Sequence, residues 1–154
     1  MSPWHVLLSH HAFPSTLEAD LNASNPEVVV HGNATIASVK EAIEDWAKQD
    51  TQDLVLFRAG EGRQGSFQLN RNESLSGAAS SGMLDSHQQS RDGSADVFLL
   101  YDACLSGSLL PLLPAPEGKS RILLASTTDG QNACFLLGGI VSFSQLIWRR
   151  SRRG

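Results

Sequence analysis

DVFLLYDACLSG, residues 96–107, is the stretch from which the fold follows. Its first half is an apolar run behind a single aspartate, too short for a stable helix and free of alternation. That pattern fits a strand buried on both faces of a parallel sheet. A short Asp-Ala-Cys-x-Ser-Gly segment then leaves the C-terminal end of the strand. In open α/β sheets that end is where ligands and reacting groups gather. A cysteine placed there has the N–H groups of the following turn beside it, which can hold a developing oxyanion. The same cysteine also reads as a small buried hydrophobe, the commoner fate of a single Cys after a strand.

Upstream, residues 53–59 (DLVLFRA) form a second strand, followed by the glycine-rich turn GEGRQG over residues 60–65. Residues 66–69 pair back as a small hairpin. Before this strand, Thr35 is an N-cap. Ile36, Val39, Ile43 and Trp46 recur at helical spacing, with Lys40, Glu41, Glu44 and Asp45 opposite them. This predicts an amphipathic helix ending near Gln49. Residues 4–9 (WHVLLS) read as a buried strand and residues 27–30 (EVVV) as a brief β-branched one. Between them, residues 10–25 are loop-like or a weak helix around 17–21. In residues 75–89, Leu75, Met83 and Leu84 can make one helix face, but Gly77, Gly82 and the serines weaken it.

Downstream of Cys104 a loop runs through Pro111, Pro114 and Pro116. Residues 121–126 (RILLAS) are another buried strand and 133–137 a short one. Residues 142–150 close the chain as a helix with Phe143, Leu146 and Ile147 on its apolar side. Strands alternating with helices imply an α/β sheet with parallel members. The 154 residues suit one domain, 1–154, with a single sizeable core.

Composition narrows the function. A net charge of −4 argues against a nucleic-acid domain, which needs a broad basic face. The one basic cluster, Arg149, Arg150, Arg152 and Arg153, reads as a solvated helix end. Two cysteines, Cys104 and Cys134, make no disulfide framework, and no spacing suggests metal or cofactor binding. No stretch approaches the roughly 18 apolar residues of a membrane span. The expected compartment is reducing and cytoplasmic.

DLVLFRAGEGRQGSFQL followed by VFLLYDACLSGSLLPLL resembles the paired signature of the legumain-like cysteine peptidases and their bacterial relatives, kin of caspases and gingipains. In that family one strand ends in His-Gly, and its neighbour ends in Asp/Glu-Ala-Cys-x-Ser-Gly. The similarity continues through GKSRILLAS, Ala133-Cys134-Phe135 and Ile140-Val141-Ser142-Phe143, covering roughly residues 33–148. The resemblance implies a caspase-like, mostly parallel sheet flanked by helices. It puts Cys104 at the nucleophile position and the N–H groups of Gly62 and Cys104 at the oxyanion hole. Asp102 falls where family members carry an acidic residue lining the substrate pocket. It reads equally as a strand-end carboxylate capping nearby N–H groups.

The chain departs from the family at Glu61, which stands at the histidine position. A histidine exchanges protons near neutral pH, and its cation favours a thiolate. A glutamate side chain is ordinarily an anion at pH 7. Beside a cysteine it repels the thiolate and has no proton for the leaving amine. The expectation is a degenerate peptidase homologue with little or no proteolysis, serving as a peptide- or protein-binding module. The alternative is an active cysteine endopeptidase using Cys104 with a relocated base, His10 or His11. A second departure lies at the front, where the family's first strand and helix are missing. Either residues 4–9 move into that gap in the sheet or a second copy covers it as a homodimer.

Overall fold

The computed structural model describes residues 5–8, 29–30, 34–48, 54–91, 96–134 and 143. Five strands make the main sheet: β1 (His5–Leu8), β2 (Val29–Val30), β3 (Leu54–Gly60), β7 (Val97–Ala103) and β8 (Arg121–Ala125). Their order is β2-β1-β3-β7-β8, and every neighbouring pair is parallel. The α/β reading with a parallel sheet is therefore correct. β1 stands between β2 and β3, so the chain's own strand fills the place in question. Of the two alternatives, this is the first, in which residues 4–9 take that place in the sheet.

Between β2 and β3 runs α1 (Ile36–Ala47), entered as expected at Thr35. The Ser38 N–H donates to Thr35 Oγ1 at 3.0 Å, and the Thr35 N–H donates to Ser38 Oγ at 2.9 Å. This reciprocal cap satisfies two donors that would otherwise be lost, a contribution of about 1 kcal/mol. Between β3 and β7 lie a three-stranded antiparallel unit and a second helix. The unit is β4 (Gly62–Arg63), β5 (Ser66–Gln68) and β6 (Ser74–Ser76), and the helix is α2 (Gly77–Gln89). The hairpin at residue 66 is as predicted. The third strand and the full length of α2 are not.

Register separates the two faces of the sheet. Leu54, Leu56 and Arg58 of β3 align with Val97, Leu99 and Tyr101 of β7, and these with Arg121, Leu123 and Ala125 of β8. This face meets Val39 and Ile43 of α1, Leu84 of α2, and Leu109 and Leu113 to form the core. The other face carries Phe57, Phe98, Leu100, Ile122 and Leu124. Ile122 and Leu124 remain 47% and 48% exposed. The expectation that residues 121–126 form a buried strand thus holds for the strand and is corrected for its burial. β8 is the last strand in the described order and alternates between core and surface.

Arg121 holds the core side of that strand to α2. Its guanidinium, 1% exposed, pairs with Asp85, donates its Nε–H to Gln88 Oε1 at 2.8 Å, and donates from Nη1 to the Pro114 carbonyl at 2.8 Å. All three acceptors lie off the strand, so one side chain ties sheet, helix and loop together.

Candidate functional site

β3 and β7 run in register from Leu54↔Val97 to Gly60↔Ala103 and end together. The next residue of each strand is Glu61 on one side and Cys104 on the other. Parallel pairing therefore brings these two positions side by side on the C-terminal rim of the sheet. Glu61 is exposed and Cys104 half-buried, so neither is part of the core.

The contact is closest one residue further on. A Cβ built on Gly62 would lie 1.9 Å from the Cys104 carbonyl oxygen and 3.1 Å from the Tyr101 hydroxyl. No side chain fits there. Gly62 also belongs to the β4–β5 hairpin, opposite Phe67. The Gln68 N–H donates to the Glu61 carbonyl at 3.0 Å, which makes Glu61/Gln68 a hydrogen-bonded pair. Such pairs alternate in an antiparallel ladder, so Gly62/Phe67 is a non-bonded one and the Gly62 N–H turns away from β5.

Beneath this contact lies a buried aromatic and cationic layer. Tyr101, fully buried, donates its hydroxyl to the Ser66 carbonyl at 3.1 Å and meets the Phe67 ring edge-on at 5.1 Å. Burial pushes the Tyr101 pKa well up. The Arg58 guanidinium opposes that shift. Arg58 is itself fully buried, 5.9 Å over the Phe67 ring, with Nη1 donating to Ser80 Oγ at 3.0 Å. Burial lowers its pKa to about 10. Its Nε and Nη2 have no hydrogen-bond partner among the described residues. A buried cation so poorly compensated costs stability, and its placement directly below the rim is a feature that packing alone does not require.

The turn after Cys104 is held from three directions. Leu105 takes the left-handed conformation, φ 56°, and its N–H donates to the Gln131 carbonyl at 2.7 Å. Ser108 Oγ donates to the Leu105 carbonyl at 2.6 Å and accepts from the Gly65 N–H at 2.9 Å. Ser108 thereby joins the Cys104 turn to the hairpin that carries Gly62. Thr127 Oγ1 accepts from the Ser106 N–H at 3.0 Å and donates to the Ala103 carbonyl at 3.2 Å, while the Thr127 N–H donates to Ser106 Oγ at 3.1 Å. Gly107 completes the strap, since a Cβ there would meet the Thr127 carbonyl oxygen at 2.6 Å.

Thr127→Val keeps the shape but removes the hydroxyl. It strands the Ser106 N–H, on a residue with no solvent exposure. The expected loss is about 2 kcal/mol in urea unfolding. Thr127→Ser should recover most of it, and two identical valine and serine curves would contradict the hydroxyl's role.

The remaining residues singled out in the sequence are placed less favourably for contact with a ligand. Asp102 is 1% exposed, which suits a strand-end carboxylate better than the wall of an open pocket. His10 and His11 lie outside the described residues, as do the segments 10–25 and 135–137 and most of the closing helix expected at 142–150. Residues 133 and 134 are described and carry no strand. Among the described residues no group of His, Cys, Asp or Glu is arranged to hold a metal ion. No helix there is long and apolar enough to cross a membrane. Tyr101, Ser108 and Thr127 are the residues that sequence reading did not single out. Each makes its decisive contact 21 to 43 positions away, where no local motif points.

No protein-family model matches the chain, and no curated protein does. Among solved structures it is similar to the crystal structure of drICE, a caspase, at 18% identity and a TM-score of 0.49. The match covers 86% of this chain and 64% of that one, so the chain spans less than two thirds of the length of drICE.

Proposed function

We propose that this chain is a degenerate relative of the legumain- and caspase-like cysteine peptidases, binding peptide or protein segments on the rim of its sheet with little or no cleavage. The reading rests on the close approach of Gly62 to Cys104, which leaves no room for a side chain at position 62. A glycine is required there only if the hairpin is to lie against the cysteine turn. That arrangement leaves the Gly62 N–H facing away from its own ladder, as an oxyanion donor must. In this reading Cys104 holds the nucleophile position and its own N–H is the second donor. Glu61, in the histidine's place, opposes the thiolate and supplies no proton. Asp102 serves the strand end and not the substrate.

The deciding experiment pairs thiol reactivity with cleavage. Wild-type protein is expected to show no cleavage of fluorogenic peptides ending in Asn, Asp, Arg or Lys above the Cys104→Ala background. Glu61→His should accelerate iodoacetamide alkylation of Cys104 at pH 7 by about tenfold, as replacing an anion by a partial cation favours the thiolate. Wild-type cleavage that disappears in Cys104→Ala would overturn the degenerate reading. An unchanged alkylation rate in Glu61→His would show that the two side chains do not interact.

A further inference from the structure

We infer that Cys104 and Cys134 close a reversible disulfide across the rim of the site, taking the Cys104 sulfur out of use. Both thiols are free, Cys104 half-buried and Cys134 exposed. Far apart in sequence, they belong to segments that the fold straps together. Ala103 is bonded to Ser126, Leu105 to Gln131 and Ser106 to Thr127, so the chain on the far side of β8 lies against the residues flanking Cys104. Gln64 adds a fourth tie, with its Nε2 on Asp129 Oδ1 at 2.8 Å. The last of the ties in sequence is at Gln131, only three residues before Cys134. Three residues span at most about 10 Å.

Residues 131–134 belong to no helix or strand, and Gln131, Asn132 and Cys134 are exposed. Bringing Cys134 to the Cα separation of about 4.4–6.8 Å that a disulfide needs therefore breaks no helix or strand among the described residues. The tether at Gln131 keeps the two thiols at high effective concentration.

The chemistry balances with a peroxide as oxidant. The exposed Cys134 thiol gives up its proton as its sulfur attacks the peroxide O–O bond. The sulfur becomes a sulfenic acid, and with hydrogen peroxide the departing hydroxide takes up that proton and leaves as one water. The Cys104 thiol then attacks that sulfur, the S–O bond breaks, a second water leaves, and the disulfide remains. A thiol reductant reverses it. The crosslink itself does not depend on the peptidase-like reading; only its meaning as a switch on that site does.

The experiment therefore maps bonds and not activity. Full-length protein is treated with hydrogen peroxide, blocked with iodoacetamide, and digested without reduction. A peptide pair joining residues 104 and 134, lacking two hydrogens, is expected in the monomer fraction and should vanish with dithiothreitol. Its yield should be about tenfold higher in buffer than in denaturing urea, where the straps are gone. In Cys134→Ser, Cys104 should remain open to alkylation. Monomer with both cysteines alkylated or carrying only oxygen, bridges found only between chains, or equal yields with and without urea would each overturn the inference.

Discussion

Gly62→Ala is expected to destabilise the protein by about 3 kcal/mol and to alter the reactivity of Cys104 at the same time. The added carbon would sit 1.9 Å from the Cys104 carbonyl oxygen, far inside van der Waals contact, and 3.1 Å from the Tyr101 hydroxyl. Neither neighbour yields cheaply. The first is backbone of a turn fixed by Leu105, Ser106 and Ser108, and the second is a buried phenol bonded to Ser66. Relief requires the β4–β5 hairpin to lift from the rim, which also strains the Gly65–Ser108 bond and the Phe67–Tyr101 contact. Overpacking usually costs 1–3 kcal/mol, and a backbone clash belongs at the upper end of that range. Urea unfolding reads the stability, and alkylation of Cys104 in the folded protein reads the site. Gly82→Ala, with nothing within 4 Å of its added carbon, is the matched control and should be neutral or stabilising. Equal stability of the two variants would mean that the hairpin does not press on the cysteine turn.

How far the fold could be read in advance depended on which physical signal each element carries. Residues 96–103 and the capped helix α1 announce themselves by hydrophobic pattern and by Thr35, and both form as expected. α2 does not, because its sequence is chosen for close approach and not for helix propensity. Gly77 lies where a Cβ would come within 2.7 Å of Leu112, and among the described residues Ser80 is the one hydrogen-bond acceptor for the buried Arg58 guanidinium. Small and polar residues that lower propensity in isolation are what let this helix seat. β8 departs from its pattern for the opposite reason. RILLA is apolar enough for a central strand, yet its position in the sheet leaves Ile122 and Leu124 half in water. At the site, the neighbouring strand ends of Glu61 and Cys104 were legible from paired motifs. The hydroxyls of Ser108 and Thr127 were not, since a serine or threonine in a loop gives no sign of which distant backbone group it serves.

His87 gave the sequence no reason to be singled out, and it provides the second large effect. It is 3% exposed on α2, with Nδ1 unpartnered among the described residues. Its pKa is lowered to about 4, first by burial and then by the nearby Arg91 cation, against a hydrogen bond to the main chain of Ile43 on α1. The folded protein thus keeps this imidazole neutral, whereas the unfolded chain protonates it near the ordinary value of about 6.5. Because the unfolded state binds the extra proton, the contribution is intact above pH 6.5, is lost progressively as pH falls toward 4, and levels off below that. The full difference corresponds to about 3 kcal/mol. Carboxylates titrate in the same range, so the informative quantity is the stability of wild type minus that of His87→Leu, followed by urea unfolding from pH 7.5 to 4.5. That difference should fall by 2–3 kcal/mol across the interval. Parallel profiles would mean that the imidazole reaches water in the native state, and that the α1–α2 interface is looser than its packing around Ile43 and Leu84 implies.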